Sequence, residues 1–189
     1  MLATIFYNSD KAMLLLLNRQ RSPVGDIIWL NLTNATGFIA YGTAIVALTL
    51  SIFTGNKALK TKGFAIAVAG VFSLLASTAL KYIVHRPRPF NVLKTIQVLG
   101  PAGGWSYPSG HTCDAFFLAA ILFLIFPNRK WLIFTAYSWA ILVGFSRIYL
   151  GAHYPSDVLG GIAIGSSMSV LAYYLMIDHP GQHKSRSRS

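Results

Sequence analysis

The chain contains no glutamate. Its five acidic residues are all aspartates (Asp10, Asp26, Asp114, Asp157 and Asp178), set against 16 lysines and arginines. Carboxylates this few and this scattered leave no cluster for a two-metal centre, which needs several Asp or Glu ligands. The single cysteine, Cys113, excludes an internal disulfide and any cysteine-rich metal site. Charge of either sign is scarce: 11% of residues are charged, where a soluble domain carries about 25%. A net charge of +11 on such a chain does not describe a nucleic-acid binder, which displays its Lys and Arg over a polar surface. What the sequence does hold is apolar residues, 54% of 189. That content excludes a disordered chain. The class left is a one-domain integral membrane protein with basic loops.

Five apolar stretches suit a bilayer: residues 37–53, 63–80, 111–126, 131–145 and 158–177. Each is about 15–20 residues, close to the length a helix needs to cross a ~30 Å hydrocarbon core. The fold expected is therefore all-α, a polytopic membrane helical bundle. Residues 1–36 are mixed, with Asn8, Asp10 and Lys11 beside Leu14–Leu17, and read as an interfacial helix plus a short second helix that is interfacial or a sixth span. Residues 37–178 form the membrane domain, and 179–189 form a basic, disordered tail. No basic n-region precedes a clean apolar core, so a cleavable signal peptide is not expected.

Charge orients the bundle. Lys57, Lys60 and Lys62, then Arg129 and Lys130, then Lys184, Arg186 and Arg188 fall on one face, which the positive-inside rule makes cytoplasmic. The other face also keeps Lys81, Arg86, Arg88, Lys94 and Arg147. Cations retained there need a reason of their own, and an anionic substrate supplies one.

Three polar clusters stand at membrane ends on that face: Lys81 to Pro89, Pro108-Ser109-Gly110-His111, and Ser146-Arg147 with His153 and Asp157. Arg88 and Arg147 offer planar forks for phosphate oxygens, and Lys81 offers a point charge. Ser109 adds a hydroxyl. Gly110 opens a helix whose free N–H groups and positive dipole end favour an anion. His153 and Asp157 are four apart around Pro155, which suits the first turn of a helix. An aspartate accepting from one imidazole nitrogen fixes the tautomer and leaves the other nitrogen nucleophilic. His111 then remains as general acid. With no acidic cluster available, metal-independent and cofactor-free catalysis is expected.

These residues resemble the type 2 phosphatidic acid phosphatase superfamily, integral membrane lipid phosphatases related to the vanadium haloperoxidases. The family pattern reads Lys, six residues, Arg-Pro; then Pro-Ser-Gly-His; then Ser-Arg, five residues, His, three residues, Asp. Here it is met by Lys81, Arg88-Pro89, Pro108 to His111, Ser146-Arg147, His153 and Asp157, in order and at the family spacing. The resemblance implies an acid phosphatase/vanadium haloperoxidase-like helical core. It implies a phosphohistidine on His153 oriented by Asp157, and His111 as proton donor. It implies that Lys81, Arg88, Ser109, Gly110 and Arg147 hold the phosphate. It also implies a site on the extracytoplasmic face of a bacterial membrane.

The short chain looks similar to small bacterial undecaprenyl-diphosphate phosphatases. Phosphatidylglycerophosphate, phosphatidate and lipid A 1-phosphate are the neighbouring substrates. A lipid phosphotransferase would share every motif. A non-catalytic lipid binder would be expected to have lost some of them. Outside the fixed positions, His85 and Arg86 read as solvated loop residues touching headgroups. Asp114 reads as a helix N-terminal acid stabilised by the dipole, with tuning of His111 as its functional alternative.

Overall fold

The structure is a computed structural model that describes residues 2–100 and 102–177. Among the described residues there are eight helices and no strand. They are α1 (Leu2–Arg19), α2 (Pro23–Asn34), α3 (Thr36–Phe53), α4 (Lys57–Val84), α5 (Pro89–Val92), α6 (Gly110–Ile125), α7 (Lys130–Tyr149) and α8 (Pro155–Met176). The expected all-α membrane bundle is what the chain forms. Helices α3, α4, α7 and α8, with α2 running almost directly into α3, are long and apolar enough to cross a membrane, and α6 is a shorter apolar helix. The basic tail and Asp178 lie outside the described residues.

Each expected span is a helix, and α4, α7 and α8 overrun the apolar runs into their polar flanks. Helix α4 begins at Lys57 because the Asn56 side chain accepts from the N–H groups of Ala58 and Leu59 at 2.9 and 3.3 Å. It ends where His85 turns left-handed (φ 48°). The Arg-Pro-Arg-Pro run that follows cannot continue a helix.

Helix α6 is the centre. Eleven of its 16 residues are buried, all round its axis, and it packs against α3, α4, α7 and α8. Covered by protein over most of its length, with Phe123 near its end exposed, it need not match the full bilayer thickness. The outer helices turn large side chains such as Phe38, Phe53, Leu75 and Trp131 outward, as lipid-facing surfaces do.

Contact between α6 and α8 depends on glycine. A Cβ on Gly165 would lie 2.5 Å from the carbonyl oxygen of Cys113, and one on Gly161 would lie 2.8 Å from that of Ser109. Small residues let membrane helices approach this closely. The approach at Gly161 also seats the turn that opens α6 against the first turns of α8.

Helices α1 and α2 pack against the bundle. Leu14 of α1 is fully buried beside Ile96, Ile148, Tyr154 and Val158. The Asn18 amide donates to the carbonyls of Gln97 and Tyr149. Helix α1 thus packs across the end of the bundle where α7 stops and α8 starts.

Gly165→Ala should lower stability in detergent. Alanine gains about 1 kcal/mol of helix propensity over glycine, but forced overpacking against backbone costs about 1–3 kcal/mol. Gly42→Ala, where a Cβ meets nothing within 4 Å, should be neutral or stabilising. Thermal unfolding of the two variants side by side checks this; an unchanged or raised midpoint for Gly165→Ala contradicts it.

Candidate active site

The three sequence clusters meet at one end of the bundle and are hydrogen-bonded pairwise. The first holds the second: Lys81 Nζ donates to the carbonyls of Pro108 at 2.8 Å and Trp105 at 3.2 Å. The second holds the third: the Ser109 N–H donates to the Asp157 carbonyl at 3.0 Å. The first holds the third: Arg88 Nη1 donates to the Ala152 carbonyl at 3.2 Å.

Arg88 is 5% exposed. Its Nε and Nη2 donate to the carbonyls of Gly104 (3.0 Å) and Gly103 (2.6 Å). Its Nη1 lies 3.3 Å from His153 Nε2. His153 is buried in the turn between α7 and α8, where its backbone N–H donates to the Arg147 carbonyl. Its Nδ1 stands 3.5 Å from Asp157 Oδ2, a contact longer than an ordinary hydrogen bond. Burial pushes the His153 imidazole down to about 3, and Arg147 and Arg88 push the same way against Asp157. His153 is therefore neutral at neutral pH, with a lone pair available on one nitrogen.

Asp157 is fully buried. Its Oδ2 accepts from Ser106 Oγ at 2.5 Å and from the Tyr154 N–H at 2.9 Å. Its Oδ1 accepts from Arg86 Nη1 at 2.6 Å. Arg147 is buried too, and its Nη1 donates to Thr33 Oγ1 of α2 at 2.7 Å. Ser146 is structural, its hydroxyl donating to the Val143 carbonyl.

Ser109 is the N-cap of α6 but makes no capping bond with its side chain, which accepts from Thr112 instead. The first N–H groups of α6 have no intrahelical partner, and a Cβ on Gly110 would meet nothing within 4 Å. Open space thus lies beside Gly110 at a positive helix end, with His111 in its first turn. Among the described residues neither Lys81 nor Arg88 is in an ion pair. Their charge faces backbone carbonyls and an imidazole rather than a carboxylate.

Two readings from sequence change. Arg86 is not a solvated loop residue: it binds Asp157, Ser156 Oγ at 2.6 Å, and Asp10 Oδ2 at 2.8 Å. Asp114 takes its hydrogen bond from the Tyr41 hydroxyl of α3 at 2.6 Å. The one sequence signal for the Arg86 network is a lone aspartate, Asp10, beside an apolar helical run.

The PAP2 superfamily matches the chain over residues 58–180. The undecaprenyl-diphosphatase of Sulfolobus acidocaldarius is 33% identical over 128 residues, 67% of this chain and 60% of that protein. The undecaprenyl-diphosphatase BcrC of Bacillus subtilis is 33% identical over 136 residues, 71% of this chain and 67% of that protein. Among solved structures, the transmembrane PAP2-type phosphatidylglycerolphosphate phosphatase of Bacillus subtilis superposes with a TM-score of 0.75 at 24% identity, over 89% of this chain and 85% of that one.

The depressed His153 value has a direct check. In ¹⁵N-histidine-labelled protein, the resonance lost in His153→Asn should remain that of a neutral ring from pH 7 down to pH 5, where an ordinary histidine near 6.5 is mostly charged. A midpoint near 6.5 contradicts it.

Proposed function

The chain belongs to the PAP2 superfamily, and we propose that it is a membrane lipid phosphatase that hydrolyses a lipid diphosphate, undecaprenyl diphosphate foremost, through a phosphohistidine. The observation that carries this reading is the pairwise hydrogen bonding of three sequence-distant clusters around one neutral histidine.

In the first step His153 Nε2 attacks the terminal phosphorus. The N–P bond forms as the P–O bond to the leaving group breaks, and His111 gives that oxygen its proton. For a lipid diphosphate the leaving group is the lipid monophosphate. Asp157 accepts from Nδ1–H, keeps the ring in the attacking tautomer and offsets the positive charge the ring gains. Lys81, Arg88, Arg147, Ser109 and the N-terminal N–H groups of α6, beginning at Gly110, take the non-bridging oxygens, whose charge spreads in the transition state. Arg88, already beside Nε2, is placed to hold the phosphoryl group at the attacking atom. In the second step water attacks phosphorus, His111 takes its proton, the N–P bond breaks, and inorganic phosphate leaves. The scheme uses no metal.

The membrane orientation follows from charge. Lys57, Lys60, Lys62, Arg129 and Lys130 collect at the end of the bundle opposite the site, with Lys62 4.8 Å over the Phe126 ring. The positive-inside rule assigns that end to the cytoplasm, so the site opens to the extracytoplasmic side.

Purified protein in detergent should release inorganic phosphate from undecaprenyl diphosphate faster than from phosphatidylglycerophosphate, phosphatidate or lipid A, with chelator present and with inhibition by vanadate. No release from any of these lipids would remove the enzyme reading, and a faster rate on another lipid would reassign the substrate. His153→Ala should abolish turnover and trapping of the phosphoenzyme. His111→Ala should slow a lipid monophosphate, with its poor alkoxide leaving group, by about 10²–10⁴-fold. It should slow the diphosphate less; equal losses on both would count against the general-acid role.

A further inference from the structure

One buried polar cluster lies outside the reacting and phosphate-binding groups, and it reaches the site from behind. Asp10 of α1 is 7% exposed. Its Oδ1 accepts from the Ser156 N–H at 2.9 Å, one of the donors that the first turn of α8 cannot satisfy internally. Its Oδ2 accepts from Arg86 Nη2 at 2.8 Å and from the Ser156 hydroxyl. The Arg86 guanidinium lies 4.1 Å over the Tyr154 ring and reaches on to Asp157. Arg86 also accepts, through its carbonyl, the N–H of Ser106, whose hydroxyl donates to Asp157 Oδ2. Arg86, Ser106 and Asp10 thus each bond to the Asp157 carboxylate or to the first turn of α8 that carries it.

Resting on the phosphatase reading, we propose that Asp10 and Arg86 are positioning residues of the active site, and that α1 is a working part of it. Asp157 can serve His153 only while its carboxylate is held in one rotamer. Ser106 and the Tyr154 N–H hold Oδ2, the oxygen that faces His153, and Arg86 holds Oδ1. Without Arg86, a fully buried carboxylate loses its ionic partner and its remaining oxygen is left unsatisfied. It then turns or takes a proton, and either change weakens its contact with His153. Asp10 acts one step further back. A guanidinium balanced by Asp157 alone would draw that charge away from the imidazole. Shared with Asp10, Arg86 fixes the geometry of Asp157 without consuming all of its charge. The hydrogen bonds of Asp10 and Arg86 run to Asp157, Ser156 and Ser106, not to the phosphate ligands Lys81, Arg88 and Arg147. Their loss should therefore act on kcat and spare KM.

The test uses the full chain in detergent, with undecaprenyl diphosphate, in Arg86→Ala, Arg86→Lys, Asp10→Asn and the double variant Asp10→Asn/Arg86→Ala, with thermal unfolding as the control for folding. Arg86→Ala should lower kcat about 10–100-fold, the range seen when an outer-shell partner of a working group is removed, with KM within about twofold. Arg86→Lys should recover part of the loss. Asp10→Asn, which keeps an acceptor for Ser156 but not the charge, should lower kcat less. Adding it to Arg86→Ala should cost little more, because the two act as one unit. Wild-type kcat in the folded single variants, a KM effect alone, or fully additive losses would overturn the proposal. Should Arg86→Ala not fold, Asp10→Asn decides alone. If wild-type protein releases no phosphate from any lipid, the phosphatase reading is what fails. The network is then judged by the ¹⁵N resonances of His153, displaced in these variants if it positions the dyad and unchanged if it does not.

Discussion

A carboxylate with no access to water organises this end of the molecule. Asp157 is fully buried, and an ion in that position is tolerated only if its lone pairs are met. The partners come from two separated stretches of chain. Arg86 and Ser106 belong to the long α4–α6 connection, and the Tyr154 N–H and His153 belong to the turn before α8. Satisfying one acid therefore folds the longest connection of the chain over the start of α8. The same folding carries Arg88, two residues beyond Arg86, to the far side of the dyad, against His153 Nε2. The dyad ends up between two guanidinium groups, one on the carboxylate and one beside the imidazole.

That arrangement needs a rigid floor, and α6 provides it. A helix buried over most of its surface has no broad lipid-facing stripe to set its rotation, so close contacts must set it instead. Gly161 and Gly165 let α8 approach the backbone of α6 at Ser109 and Cys113, and the Ser109 N–H then bonds to the Asp157 carbonyl. The glycine contact thereby fixes the start of α6 relative to the turn bearing His153. Packing in the middle of the bundle and geometry at its end are one constraint.

Much of this is legible in the sequence, and the limits have physical causes. The apolar runs mark all five central helices, because bilayer thickness imposes a length that composition reveals. Their ends are less legible: α4 starts at Lys57 and ends past Lys81, since flanking lysines extend a helix without adding hydropathy. The spacing of Lys81, Arg88, Ser109, His111, Arg147, His153 and Asp157 marks the candidate site, because each cluster is local. Arg86 reads wrongly from sequence because its partners, Asp10 and Asp157, are far away along the chain. Charge counting does not say which cation meets which acid. Asp114 is ambiguous for the same reason: its partner, Tyr41, sits on another helix.

The pairing of charges separates two kinds of cation that composition alone lumps together. Arg86 is balanced by Asp10 and Asp157, so its charge is spent on structure. Lys81 and Arg88 enter no ion pair among the described residues and rest on carbonyl oxygens and an imidazole. Carbonyl dipoles hold such groups in place without cancelling their charge, which leaves a positive field directed at the mouth of α6, where the helix end adds to it. With only five acids in the chain, two of them committed to Arg86, few carboxylates remain to quench that field. An anionic group, the phosphoryl group of the proposed reaction, would supply the counter-charge that the arrangement lacks and complete electrostatically a site whose geometry is already assembled.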